Sequence, residues 1–193
     1  TEAGAPNGTE DAYYYNISTS TRTNITDITN TGNAAAMQSM VDGNGNAYFY
    51  WSEQGGTYGS SDLYLYNVQT ATTTNISDPL TTGSVELPSD INHEKKLIDG
   101  AGNGYIFWEE HGAPNGGQDM YMYDLTKGQR FNLSYPDAMA NAVLSSTSTI
   151  PFVDKFGNGW LVWSEFTTTV GGVEDQMYLY EIATDTTRVI SAE

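Results

Sequence analysis

Three copies of one sequence pattern follow one another along this chain. Each copy starts with Asp, continues through two residues to Gly-Asn, and then runs through apolar residues to Trp and Glu; the copies span Asp42–Glu53, Asp99–Glu110 and Asp154–Glu165. A Tyr-rich segment follows each copy. Tandem self-similarity with a period of roughly 55 residues indicates an array in which one supersecondary unit is repeated.

The segments of the repeat are predicted to be β-strands, because Tyr, Thr, Val and Ile dominate them and no stretch shows a helical period. The Trp strand occurs three times, whereas the Tyr strand occurs four times, at Tyr13–Asn16, Tyr64–Asn67, Tyr121–Asp124 and Tyr178–Glu181. Both faces of the Tyr strand are apolar, since Leu65, Met122 and Leu179 alternate with the tyrosines. A sheet that is covered on both faces favours a propeller over a sandwich.

We therefore predict an all-β fold, a β-propeller of four-stranded antiparallel blades. The single repeat domain, residues 1–193, contains an N-terminal half blade at 1–27 and three complete blades at about 28–78, 79–135 and 136–193. In each complete blade the first strand precedes the Asp, the second contains the Trp and the third contains the tyrosines. The fourth strand runs through 72–77, 130–134 or 187–191, and Gly-rich turns separate the strands.

The half blade leaves the predicted ring incomplete. The chain is part of a longer polypeptide, or it forms a small ring closed by the half blade, or the half blade pairs with another subunit. Tyr13, Tyr14 and Tyr15 form an exposed edge of the half blade, and such an edge invites strand addition. We expect assembly or truncation rather than a self-sufficient monomer.

Two phrases of the repeat carry a family likeness. The segment 119–126, Asp-Met-Tyr-Met-Tyr-Asp-Leu-Thr, followed by Asn132-Leu133-Ser134, resembles the TolB-like β-propeller repeats of archaeal and bacterial cell-surface proteins. The resemblance covers nearly the whole chain and implies the propeller fold. It does not select a function, because one fold hosts many functions.

The charge balance excludes some classes of partner. With 24 acidic and 7 basic residues, the net charge of −17 repels nucleic acid and anionic membranes. No apolar run is long enough to span a bilayer, and no signal peptide is visible, so we predict no membrane insertion. The chain has no Cys, and its acidic surface is rich in Thr, Asn, Ser and Gly. We expect an extracellular location at the cell surface.

One turn suggests a cation site. Asp42, Asn44 and Asn46 resemble the opening of a calcium loop, in which oxygen ligands alternate on a Gly-kinked turn. Ala101 and Phe156 replace Asn44 in the other copies. A hairpin turn in which Asp and Asn bond the backbone explains all three copies. Calcium is thus the one cofactor that the sequence suggests, and the hairpin turn is the competing interpretation.

The repeated carboxylates are candidates for catalysis. Glu53, Glu110 and Glu165 recur after Trp, and a pair of carboxylates could serve glycoside hydrolysis. Recurrence argues against this role, because catalysis needs unlike environments that separate two pKa values. His93 and His111, the only histidines, lie outside the repeat consensus. We predict that the protein is not an enzyme and has no catalytic residues.

Five Asn residues stand in the N-glycosylation pattern: Asn7, Asn16, Asn24, Asn75 and Asn132. Three of them recur in the fourth strand. The same tripeptide is also a natural end for that strand, so modification and a purely structural role both stay open.

These observations predict a non-catalytic extracellular β-propeller that acts as a structural or protein-interaction module at the cell surface. Its expected partners are further copies of itself, in a coat or filament, or other cell-surface proteins and glycans. The alternative is a carbohydrate- or peptide-binding propeller, or a fragment of a propeller hydrolase. For that alternative, Tyr58 and Phe166 are the candidate contact residues.

Overall fold

The computed structural model describes residues 2–3, 10–26, 33–55, 57–58, 61–80, 85–86, 95–111, 117–134, 143–144, 149–169 and 172–191. These residues form strands and turns and contain no helix. The all-β prediction is therefore confirmed. Since the described ranges hold no helix, none of them offers one that could cross a membrane.

The strands form successive antiparallel sheets. Sheet I is the pair β3 (Tyr13–Asn16) and β4 (Thr21–Asn24), and the short pair β1 (Glu2–Ala3) and β2 (Glu10–Asp11) precedes it. Sheet II has the order β5 (Ala34–Val41), β6 (Ala47–Gln54), β7 (Ser61–Asn67), β8 (Thr72–Asn75).

Sheets III and IV repeat this order with one extra strand each. Sheet III has β10 (Lys96–Ile98), β11 (Gly104–His111), β12 (Gln118–Asp124) and β13 (Gln129–Asn132), and β9 (Val85–Glu86) also pairs with β11. In sheet IV, β14 (Val143–Leu144) and β15 (Ile150–Val153) both pair with β16 (Gly159–Thr169), which is followed by β17 (Gly172–Glu181) and β18 (Thr186–Val189).

The first three strands of each complete sheet lie where the repeat predicted them, but the fourth strands are shorter at their ends. They stop at Asn75, Asn132 and Val189. The Asn75 side-chain oxygen accepts a hydrogen bond from the Ser77 N–H at 3.0 Å, so this N–H is bonded locally and not to the neighbouring strand. The propensity pattern alone did not reveal that competition.

Every sheet has two apolar faces. In sheet II, one face carries Leu63 and Leu65; we call this face and its equivalents in the other sheets the aliphatic face. The opposite face carries Trp51, Tyr64 and Tyr66; we call it and its equivalents the tyrosine face. On the tyrosine faces the Trp and Tyr rings of neighbouring strands stack, with centroids 6.0 Å apart in sheet II, 5.7 Å in sheet III and 5.2 Å in sheet IV.

The sheets stack in chain order, the aliphatic face of one against the tyrosine face of the next. Three apolar clusters result, one at each interface between successive sheets. Tyr121 and Trp108 of sheet III, for example, are buried against Leu63 and Leu65 of sheet II. Burial of one such large side chain contributes roughly 2 kcal/mol. This radial stacking of four-stranded sheets is a propeller-like arrangement, as predicted.

Candidate functional site

The three Asp turns are closed by their own hydrogen bonds. One carboxylate oxygen of Asp42 accepts the N–H groups of Asn44 and Asn46, each at 2.9 Å, and the other accepts the Asn46 side-chain amide at 2.8 Å. Asp99 and Asp154 are bonded in the same way. The hydrogen bonds close these turns without a cation.

The same bonds set the acidity of the turn carboxylates. Desolvation raises the pKa of Asp42, Asp99 and Asp154, but the hydrogen bonds to the ionised form outweigh it. The pKa of all three is therefore below its ordinary value, and that of Asp154 falls to about 2. Each turn is thus most stable when its carboxylate is charged.

The predicted calcium ligands Asp42, Asn44 and Asn46 do come together in one turn. Within the described ranges, no group of three or more His, Asp or Glu side chains has an arrangement suited to a metal ion. The structure places amide donors against both Asp42 oxygens. Calcium at this turn stays a prediction.

Neighbouring Asp turns touch through glycine backbones. Gly43 N–H donates to the Gly102 carbonyl at 2.9 Å, and Gly100 N–H donates to that of Gly157 at 2.8 Å. A Cβ on Gly43 would lie 2.3 Å from the Gly102 Cα, and a Cβ on Gly100 would lie 2.5 Å from the Gly157 Cα. Only glycine permits this approach. Sheet IV carries Lys155 at the equivalent position, so its turn cannot repeat the contact.

The repeated glutamates are structural partners of the tryptophans. The indole N–H of Trp51, Trp108 and Trp163 donates to Glu53, Glu110 and Glu165 at 3.1, 2.7 and 2.9 Å respectively. All three carboxylates are buried. Their alignment opposite Asp62, Asp119 and Gln176 on the adjacent strand repeats from sheet to sheet.

Two of these glutamates also tie one sheet to the sheet before it. Glu110 of sheet III accepts the backbone N–H of Asp78, which follows sheet II, at 3.1 Å. Glu165 of sheet IV accepts the Ser134 hydroxyl, which follows sheet III, at 2.5 Å. The recurrence of these glutamates is visible in the sequence, but their bonds across the interface between two sheets are visible only in the structure.

The sequons divide into two kinds in the structure. In three of them the Asn Nδ2, the atom that glycosylation modifies, donates to a buried carboxylate. The bonds are Asn24 to Asp11 at 2.9 Å, Asn75 to Asp62 at 2.7 Å and Asn132 to Asp119 at 2.7 Å. Asn16 is instead the last residue of β3, beside the exposed Ile17, and its Oδ1 accepts the Ser18 N–H at 3.0 Å. Asn7 lies outside the described residues.

His111, Lys95 and Lys96 bond to different partners in the structure. His111 is half-buried, with a ring nitrogen 2.8 Å from the Gln118 side-chain nitrogen, and His93 lies outside the described residues. Lys95 forms a buried ion pair with Glu109. The Lys96 ammonium donates to the Ser39 carbonyl at 3.1 Å and joins sheets III and II.

The end of the stack at sheet IV exposes an aliphatic face. Met177 is 40% exposed, whereas its equivalents Leu63 and Met120 are fully buried. Ile190 is 45% exposed, although its equivalent Ile76 is 1% exposed. The difference arises because another sheet covers the aliphatic faces of sheets II and III, and nothing among the described residues covers that of sheet IV.

The other end of the stack exposes the tyrosine face of sheet I. Tyr14 points inward, with its ring centroid 5.6 Å from that of Phe49 in sheet II, whereas Tyr13 and Tyr15 lie on the opposite face. The Arg22 guanidinium sits 3.7 Å from the centroid of Tyr13. Tyr15 is 57% exposed, so the predicted assembly edge presents a face as well as an edge.

A cleft of about 500 Å³ lies between the Asp turns of sheets III and IV. Its lining includes Asp99, Asn103, Lys127 and Phe156. Phe156 is 76% exposed, and the Lys155 ammonium lies 4.8 Å from its ring centroid. Tyr58 and Phe166, the predicted aromatic contacts, are half-buried and do not line this cleft.

Comparison with known proteins returns structural similarities only. Neither a protein-family model nor a curated protein matches the sequence. A fucose lectin from Kordia zhangzhouensis is 10% identical with a TM-score of 0.47, over 81% of this chain and 99% of the lectin. A thermostable family-43 glycoside hydrolase is 14% identical with a TM-score of 0.46, over 84% of this chain and 55% of the hydrolase.

TolB from Acinetobacter baumannii is 15% identical with a TM-score of 0.39, over 93% of this chain and 37% of TolB. This chain therefore spans about half the length of the hydrolase and little more than a third of TolB. Similarities of this size do not transfer an activity, a substrate or a partner to this chain.

Proposed function

We propose that this chain is a non-catalytic structural or protein-interaction module of a cell surface, and that it binds protein through the exposed end of its sheet stack. The observation that carries the proposal is the aliphatic face of sheet IV, where Met177 and Ile190 are exposed although their equivalents are buried. An exposed apolar face of this kind is typical of a protein interface.

The polar residues of the repeat support the non-catalytic part of the proposal. Glu53, Glu110 and Glu165 are buried and bonded to tryptophan, so a substrate has no path to them. The turn carboxylates Asp42 and Asp99 accept backbone and side-chain N–H groups of their own turns. The acidic, Cys-free composition supports the cell-surface location.

Methionine oxidation tests the proposal with internal controls. In the isolated, dilute chain, peroxide should oxidise Met177 and spare Met120 and Met122, which are buried. On intact cells that carry the protein, we expect Met177 to be protected as well, because a partner covers it. Equal oxidation of Met177 on cells and in dilute solution would contradict the proposal.

Glycan binding is the second candidate, and one observation favours it. Phe156 exposes most of its ring beside Asp99, Asn103 and Lys127, and an apolar surface with a few convergent polar groups is typical of a ligand cleft. Screening the chain on a glycan array, with Phe156→Ala as the comparison, tests it. A glycan that binds both proteins equally well would exclude this cleft as its site.

A further inference from the structure

We propose that the aliphatic face of sheet IV binds the tyrosine face of sheet I from a second copy of this chain, so that copies join head to tail. This inference rests on the proposed function, because it names the partner and the two surfaces of the same end-face interaction.

The interfaces inside one chain establish how such faces pair. In each of them an aliphatic face meets a tyrosine face: sheet I with sheet II, sheet II with sheet III, and sheet III with sheet IV. Among the described sheets, two faces are left over, the aliphatic face of sheet IV and the tyrosine face of sheet I. They are the two halves of one further interface of the same kind.

Exposure shows that these leftover faces do not meet within one chain. Met177, Ile190 and Tyr15 are 40, 45 and 57% exposed, whereas Tyr66 and Tyr180, the equivalents of Tyr15 in sheets II and IV, are 5 and 2% exposed. A second copy can cover both faces without distorting the stack. Because the two faces differ, the contact is heterologous and builds chains or closed rings.

A polar contact at the interior interfaces gives the pairing a specific anchor. Arg130 of sheet III donates to the Ile76 carbonyl, at 3.4 Å, and to the Ser77 carbonyl, both at the end of sheet II. Thr73, at the same register position of sheet II, donates to the Ile25 carbonyl at the end of sheet I at 3.0 Å. At two of the three interior interfaces, this position therefore bonds the sheet before it.

Arg22 occupies that position in sheet I, since it pairs with Tyr15 as Arg130 pairs with Tyr123. The carbonyl groups equivalent to those of Ile76 and Ser77 in sheet IV are those of Ile190 and Ser191. We expect Arg22 of one copy to donate to these carbonyls of the next copy. A guanidinium suits this task because it presents several donors in a fixed geometry.

The glycine contacts restrict where sheet IV can be covered. Between complete sheets, Gly43 and Gly100 touch the Asp turn of the following sheet, whereas sheet IV has Lys155 at that position. The described strands of sheet I, β3 and β4, correspond to the third and fourth strands of a complete sheet. The proposed contact therefore uses β17 and β18 of sheet IV, away from Lys155.

Two single variants test the pairing by complementation. Met177→Glu places a charge on the aliphatic face and leaves the tyrosine face intact; Tyr15→Glu does the reverse. Sedimentation velocity over a wide range of concentration should show that the wild-type chain associates and that each variant alone is monomeric. Mixing the two variants should produce a complex of one copy of each, because each keeps the face that the other lacks.

Arg22→Ala should weaken wild-type association by about tenfold or more, since it removes hydrogen bonds from a charged donor. Arg22→Lys should restore part of it. Leu80→Glu is the matched control: Leu80 is 71% exposed after sheet II and belongs to neither leftover face, so association should be unchanged. Circular dichroism spectra should match the wild type for all these variants, because the substituted side chains are accessible.

The outcomes separate this inference from the proposed function. If Tyr15→Glu alone still dimerises, the aliphatic face pairs with itself and the head-to-tail inference is wrong, although an interaction role stands. If the wild-type chain is monomeric at every concentration, the inference is wrong, and protection of Met177 on cells decides the proposed function separately. A heterodimer formed only in the mixture establishes the head-to-tail pairing.

Discussion

The backbone contact between Asp turns makes a sharp prediction for stability. Gly100→Ala would place a methyl carbon 2.5 Å from the Gly157 Cα, where ordinary contact begins at 3.4 Å. The two turns must separate by about 1 Å, which breaks the bond between the Gly100 N–H and the Gly157 carbonyl. Loss of that hydrogen bond costs about 1 kcal/mol, and overpacking adds about 1–3 kcal/mol.

The expected destabilisation is thus roughly 2–4 kcal/mol, or about 5–15 °C in Tm for a chain of this size. Urea unfolding followed by tryptophan fluorescence measures it, since Trp51, Trp108 and Trp163 are buried at the sheet interfaces. The m-value should not change, because the substitution acts on packing in the folded state.

Two control variants isolate the cause. Lys155→Ala changes the equivalent turn position of sheet IV, which no other turn of the described residues approaches, so the free energy of unfolding should stay within about 0.5 kcal/mol of the wild type. Gly45→Ala meets no atom within 4 Å but has φ of 83°, so it should show only the cost of a left-handed backbone, about 1 kcal/mol. The reasoning fails if Gly100→Ala is as stable as Lys155→Ala.

Three further predictions concern two turns and the sequons. Because the folded-state pKa of Asp154 is about 2 against an ordinary 3.8, its ionised carboxylate stabilises the fold above about pH 4, and this contribution should disappear as the pH falls towards 2. Asp154→Asn should remove that part of the pH dependence of the urea midpoint. Ala71 has φ of 54° where sheet III has Gly128 at 63°, so Ala71→Gly should raise the free energy of unfolding by about 1 kcal/mol in the same assay. In a host that glycosylates Asn, glycopeptide mass spectrometry should find glycan on Asn16 and none on Asn75; occupancy of Asn75 would show that its bond to a buried carboxylate does not exclude modification.

Local patterns explain why much of the fold could be predicted. Alternation of Tyr with Leu or Met marks a strand with two covered faces, and the Asp and Gly-Asn residues mark a hairpin wherever they occur. These signals act over a few residues and do not need the rest of the chain. The strand order of sheets II, III and IV follows from them. The structure adds the pairing of β1 with β2, in which Glu2 stands opposite Asp11 as Glu53 stands opposite Asp62.

The candidate site was less accessible to this reasoning. The recurrence of Glu110 and Glu165 was visible, but their bonds to Asp78 and Ser134 cross from one sheet to another. The third copy of the repeat has Lys155 where the other two copies have glycine, and this is equally visible in the sequence. That a side chain at this position prevents contact with another turn is clear only from the close approach of the Gly43 and Gly102 backbones.

The sequence by itself determined the repeated strand-and-turn unit and the all-β class, because each is encoded by residues close together in the chain. Only the tertiary structure decided which copies of an apolar face are covered. Leu63 and Met177 occupy the same place in their strands, yet one is buried and the other is exposed. Burial depends on whether a neighbouring sheet packs on the face, and that sheet is formed by residues far away in the chain or by another molecule.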